Sequence, residues 1–153
     1  MAFNPIYTEK VLNPCYKNWK DLFFSHSVYL HRAHLIMLLK TGIIPHETAR
    51  KLKYAIDSVA QKKNFPKDIP PGNEDLYFVF EKQMEEVIGR DTAGFLHTAR
   101  SRNDMDTTVF RMFVRTRLMD FLSCCINLLS VIQDKVYKQG DTPIVLYTHG
   151  QPA

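Results

Sequence analysis

The chain has 153 residues, 45% of them hydrophobic and 24% charged, which excludes a disordered polymer and is enough for about one domain with a real core. The net charge of +4 comes from scattered Lys and Arg, with no basic stripe interleaved with aromatics, so nucleic acid is not the expected partner. Cys15, Cys124 and Cys125 have no ligand or disulfide spacing and are expected as buried, reduced thiols of a cytoplasmic protein; no metal site and no cofactor are expected.

Residues 1–20, broken by Pro5 and Pro14, read as an irregular lead-in without a signal-peptide profile. A helix is predicted over 21–40, with Leu22, Val28, Ile36 and Leu39 near helical spacing, stopped by Gly42. Pro45 opens a second helix, His46 to Gln61, with Ala49, Leu52, Ala55, Ile56 and Val59 on one face. Residues 64–72 hold three prolines and a glycine and read as a loop. A third helix runs from Asp75 to Ile88 and ends at Gly89. From Asn103 to Lys138 neither Gly nor Pro occurs, which predicts a helix about 52 Å long at 1.5 Å per residue. Its second half, from Leu118 to Ile132, is apolar nearly all round and needs burial in a large bundle or between subunits. Ile144–Tyr147 is the one candidate strand, so the fold class is all-α. No apolar run is long enough to span a membrane.

The densest chemistry is Gly94-Phe95-Leu96-His97-Thr98-Ala99-Arg100-Ser101-Arg102-Asn103-Asp104, which opens the long helix. Backbone N–H groups and the positive helix end favour an oxyanion there, and guanidinium groups add bidentate carboxylate recognition. The plainer reading is a solvated basic turn in which Ser101 caps the helix and Asp104 completes the capping box.

His97 through Asp104 resembles the first signature region of the argininosuccinate lyases, in the fumarase/aspartase superfamily of β-eliminating enzymes. Tyr147-Thr148-His149-Gly150-Gln151-Pro152-Ala153 is similar to the second region, Asn73-Glu74-Asp75-Leu76-Tyr77 to an upstream acidic segment, and Ala33-His34 through Gly42-Ile43-Ile44 to a helix of the family. The order and spacing agree from about residue 22 onward. The resemblance implies an N-terminal helical domain, residues 1–102, followed from 103–153 by the first long helix of a central bundle. It implies elimination of fumarate from argininosuccinate with release of arginine, in a cytoplasmic homotetramer whose active sites are shared between subunits.

Residue by residue, the resemblance implies that Ser101, Arg102, Asn103, Thr148 and Asp75 contact substrate and that His149 is the catalytic, proton-relaying or orienting group. On local grounds each has a structural alternative: capping for Ser101 and Asn103, surface pairing for Arg102, a helix-start acid for Asp75. His97 is expected to be structural, and Arg100 to hold the loop. Ala99, Met105 and Tyr77 stand where the family usually has Gly, Gln and His, which leaves open another lyase of the superfamily acting on a different substrate. The family's serine-rich third region has no counterpart, so the chain is expected to be an N-terminal fragment, inactive alone. A non-catalytic helical assembly module is the reading from a different class.

Overall fold

Helix formation starts earlier than the lead-in reading expects. In the computed structural model, which describes residues 3–152, Asn4 caps a first turn, α1 (Pro5–Tyr7), its Oδ1 accepting from the Ile6 and Tyr7 amides at 2.9 and 3.4 Å. Pro5 occupies the first position, where its missing N–H is harmless. The chain then continues through a π-helical turn (Thr8–Leu12), α2 (Asn13–Asn18), a second π turn (Trp19–Phe23) and α3 (Phe24–Lys40). The irregular lead-in is therefore corrected to a nearly unbroken helical run. Each π turn widens the hydrogen-bond ring, as in the Asn13 amide donating to Thr8 O, so the 3.6-residue repeat is lost there. Tyr16, fully buried, donates its hydroxyl to Pro66 O at 3.1 Å, and Asn13 Oδ1 accepts from the Ile69 amide at 2.9 Å. These two bonds tie the run to the proline-rich loop.

Gly42, at φ +72°, turns the chain out of α3 while the Ile43 amide donates back to Leu38 O. Then follow α4 (His46–Lys62), α5 (Leu76–Ile88), the short α6 (Arg90–Gly94) and a 3₁₀ turn (Phe95–His97). Helices α3 and α4, α4 and α5, and α5 and α6 pack side by side. Their buried faces meet in one core that includes Leu38, Leu52, Ile56, Val59, Phe80 and Met84. The long helix α7 (Arg102–Gln139) follows, and near the end Tyr147–Thr148 and Gln151–Pro152 pair as β1 and β2 in a two-stranded antiparallel hairpin. Of the expected strand only Tyr147 lies in a ladder. The all-α class holds apart from this hairpin.

The chain divides into two compact units, Met1–Phe113 and Val114–Ala153. The first holds all the buried core; Met105 and Val109 of α7 are buried within it. In the second, Leu118, Phe121, Leu122, Ile126, Leu129 and Ile132 are all about half exposed or more. Cys15 and Cys124 are exposed and Cys125 half-buried, which corrects the expectation of buried thiols. Among the described residues no helix is long and apolar enough to cross a membrane.

Candidate functional site

The signature loop is held from beneath by α3. His34 Nε2 donates to Thr98 O at 3.0 Å, and His31, one turn earlier, accepts at Nδ1 from Arg100 Nη1 at 3.1 Å. A guanidinium never accepts, so the His31 proton resides on Nε2 and the ring is neutral. Burial, with the Arg100 charge beside it, holds His31 down to about 3; burial and Arg100 also lower His34. Arg100 lies 5.6 Å from the centre of the Tyr77 ring, while its Nε and Nη2 are buried without hydrogen-bond partners among the described residues. The Tyr77 hydroxyl sits 2.6 Å from His97 Nδ1 and 3.3 Å from Glu81 Oε1, and burial raises its pKa. Arg100 and His97 thus hold the loop, as expected of them.

Ala99 is the strained link, at φ +55°, where the resembled motif has glycine. A left-handed L-residue costs about 1–2 kcal/mol, part of which glycine gives back through its freer unfolded state. Ala99→Gly is therefore expected to stabilise the first unit by about 1 kcal/mol, and Ala99→Val to destabilise it. Urea unfolding followed by the fluorescence of Trp19, the sole tryptophan, measures both. A glycine variant no more stable than the parent contradicts the strain.

Ser101 caps α7. Its Oγ accepts from the Asn103 amide at 3.3 Å and its own amide donates to Asp104 Oδ2 at 3.3 Å, completing the capping box. The Ser101 O–H remains available to donate. Arg102 is paired twice: its Nη1 meets Glu74 Oε2 at 2.6 Å and its Nε meets Asp75 Oδ2 at 2.9 Å, and the Glu74 bond raises its pKa. Asp75 also caps α5, its Oδ1 accepting from the Phe78 amide at 3.2 Å. Asn103 is different. It is exposed in the first turn of α7, and its carboxamide makes no hydrogen bond among the described residues.

The first unit thus brings together Asp75, Ser101, Arg102 and Asn103. Thr148 and His149 belong to the second, where Thr148 ends β1 and His149 (φ +52°) with Gly150 (φ +77°) forms the two-residue turn of the hairpin. Both are exposed. Ala153 lies outside the described residues. Sequence reasoning missed Asp106, which lies one turn beyond Arg102 and is half-buried; burial, then the Asp75 charge, raises its pKa. Its spacing of four from Arg102 was the available signal. It missed as well the partnership of His31 with Arg100, 69 positions apart, which no local pattern announces. Among the described residues no cluster of His, Cys, Asp and Glu could hold a metal ion.

A family model described as lyase matches residues 25–153. Among curated relatives, argininosuccinate lyase 2 of Agrobacterium fabrum is 38% identical over 98% of this chain and 30% of its own length. Argininosuccinate lyase of Methanocaldococcus jannaschii is 33% identical over 85% of this chain and 27% of its own. That of Methanosphaera stadtmanae is 32% identical over 85% and 28%. The chain spans less than a third of the length of these relatives.

Proposed function

The chain belongs to the lyase family, and on that premise we propose that it supplies carboxylate-binding groups to an argininosuccinate lyase, which eliminates fumarate from argininosuccinate and releases arginine. The observation that carries this reading is the free Asn103 carboxamide in the first turn of α7, with the cap supplied by Ser101 instead. An uncharged donor at a positive helix end suits the doubled negative charge that builds on a carboxylate when its neighbouring carbon loses a proton. The Ser101 O–H adds a second donor. Arg102 contributes once a substrate carboxylate displaces Glu74 or Asp75, so Asp75 acts on substrate through Arg102. Thr148 and His149 supply the remaining polar contact and the proton-handling imidazole.

The half-exposed apolar residues of the second unit support a homotetramer with shared active sites, since a helix of that character needs covering. We place the enzyme in the cytoplasm, with no cofactor and with argininosuccinate, fumarate and arginine as its small-molecule partners. Domain limits at 1–102 and 103–153 accompany this reading. A chimera carrying this chain in place of the matching portion of the Agrobacterium relative tests it. Argininosuccinate is expected to give a rising ultraviolet absorbance as fumarate appears, and a correctly assembled but silent chimera would refute the assignment.

A further inference from the structure

A cleft of about 320 Å³ lies between the start of the N-terminal helical run and residues 69–73 of the proline-rich loop, and none of the residues proposed to bind substrate lines it. Its two sides are stitched together by the bond from the Ile69 amide to Asn13 Oδ1, so the cleft is formed before any ligand arrives. Its size stands at the lower end of small-molecule sites.

Phe3, Pro5, Leu12, Ile69, Pro70 and Pro71 make the walls apolar, and the proline rings make them stiff. No Lys, Arg or His is among the lining residues. The one charged group, Glu9, is exposed and paired with Lys10 at 2.7 Å. Such a lining offers nothing to a carboxylate or phosphate, which sets it apart from the signature loop.

Asn73 interrupts the apolar lining and is only 2% exposed. Its Nδ2 donates to Pro70 O at 3.0 Å and to Pro71 O at 3.4 Å, which uses both amide hydrogens. A flipped carboxamide would set its oxygen against those two carbonyls, so the orientation is fixed. Oδ1 is left buried with no donor among the described residues. The Thr8 hydroxyl, on the opposite side, is already spent on Asn4 O at 3.1 Å. An acceptor withdrawn from water in an apolar wall calls for an N–H or O–H from outside.

We propose that this cleft binds a small neutral ring compound with one N–H or O–H donor, of the indole or phenol class, its ring against the proline and Phe3 walls and its donor on Asn73 Oδ1. The inference rests on the first unit alone and stands apart from the lyase reading.

Indole and benzofuran are the probes, alike in outline, with the N–H of one replaced in the other by an oxygen that cannot donate. Titrated into the whole chain labelled with ¹⁵N-asparagine, indole is expected to shift the Asn73 Nδ2 resonances saturably. Benzofuran should bind about tenfold more weakly, because it leaves the buried oxygen unpaired. Indole-3-acetate, which adds a negative charge, should also bind more weakly than indole. Asn73→Ala, with unchanged far-ultraviolet circular dichroism, should abolish the preference for indole over benzofuran. If that variant does not fold, Phe3→Ala takes its place and should weaken indole about tenfold by removing an aromatic wall. Equal binding of indole and benzofuran by the parent chain, tighter binding of the anion, or indole binding that leaves the Asn73 resonances unmoved would each overturn the proposal. So would an absence of saturable indole binding, a preference that survives Asn73→Ala, or an indole affinity untouched by Phe3→Ala.

Discussion

Asn103→Ala is expected to lower fumarate release by the chimera about 10²–10³-fold, the range for removing one donor aimed at developing negative charge. The loss should appear in kcat more than in KM, because a donor matched to the dianion acts mainly in the transition state. Stability should barely move, since the cap of α7 belongs to Ser101 and the Asn103 carboxamide holds no other residue. Ser101→Ala supplies the contrast. It removes a cap worth about 1 kcal/mol as well as a donor, so activity and melting temperature should fall together. Full turnover in Asn103→Ala would remove the carboxylate-binding role from the loop.

His31→Phe carries the second large effect, this time on stability. The phenyl ring can keep the stack on Phe80, but Arg100 Nη1 loses its His31 acceptor, while Nε and Nη2 already lack one among the described residues. A buried charged donor left without acceptors costs about 2–3 kcal/mol, and Arg100→Met in the same background should recover most of it. Acidity supplies an independent readout. His31 is held at about 3, against the ordinary 6.5, so between those values the unfolded chain takes up a proton that the native ring refuses. Stability is therefore full above pH 6.5 and falls as pH drops, approaching about 1.4 kcal/mol per unit for the one proton at His31. His34, lowered for similar reasons, adds to the same trend. The variant should start less stable at neutrality yet lose stability less steeply between pH 6 and 4. An unchanged slope in urea titrations across that window would contradict the buried, neutral His31.

The helices that could be read directly were those with no Gly or Pro inside and strong stops at their ends. His46 to Gln61 became His46–Lys62, and Asn103 to Lys138 became Arg102–Gln139, because Pro45, Gly140 and the capping Ser101 mark their ends. Residues 5–20 were illegible for a definite reason. Two π turns reset the register of the apolar face, and Pro5 and Pro14 sit at helix starts where proline is tolerated. The candidate site divides in the same way. Ser101 with Asp104 is a local box that spacing alone reveals. The clasp of Arg102 by Glu74 and Asp75, and that of Arg100 by His31, join distant segments that only tertiary packing brings together.

The bare helix of the second unit has a consequence for how the molecule melts. Its residues from 126 to 139 are all exposed and pack against no other element among the described residues, so whatever order they keep beyond intrinsic propensity comes from mass action with other molecules. Dilution should then unravel this segment while leaving the first unit untouched, and a heating curve should split into one step that moves with concentration and one that does not.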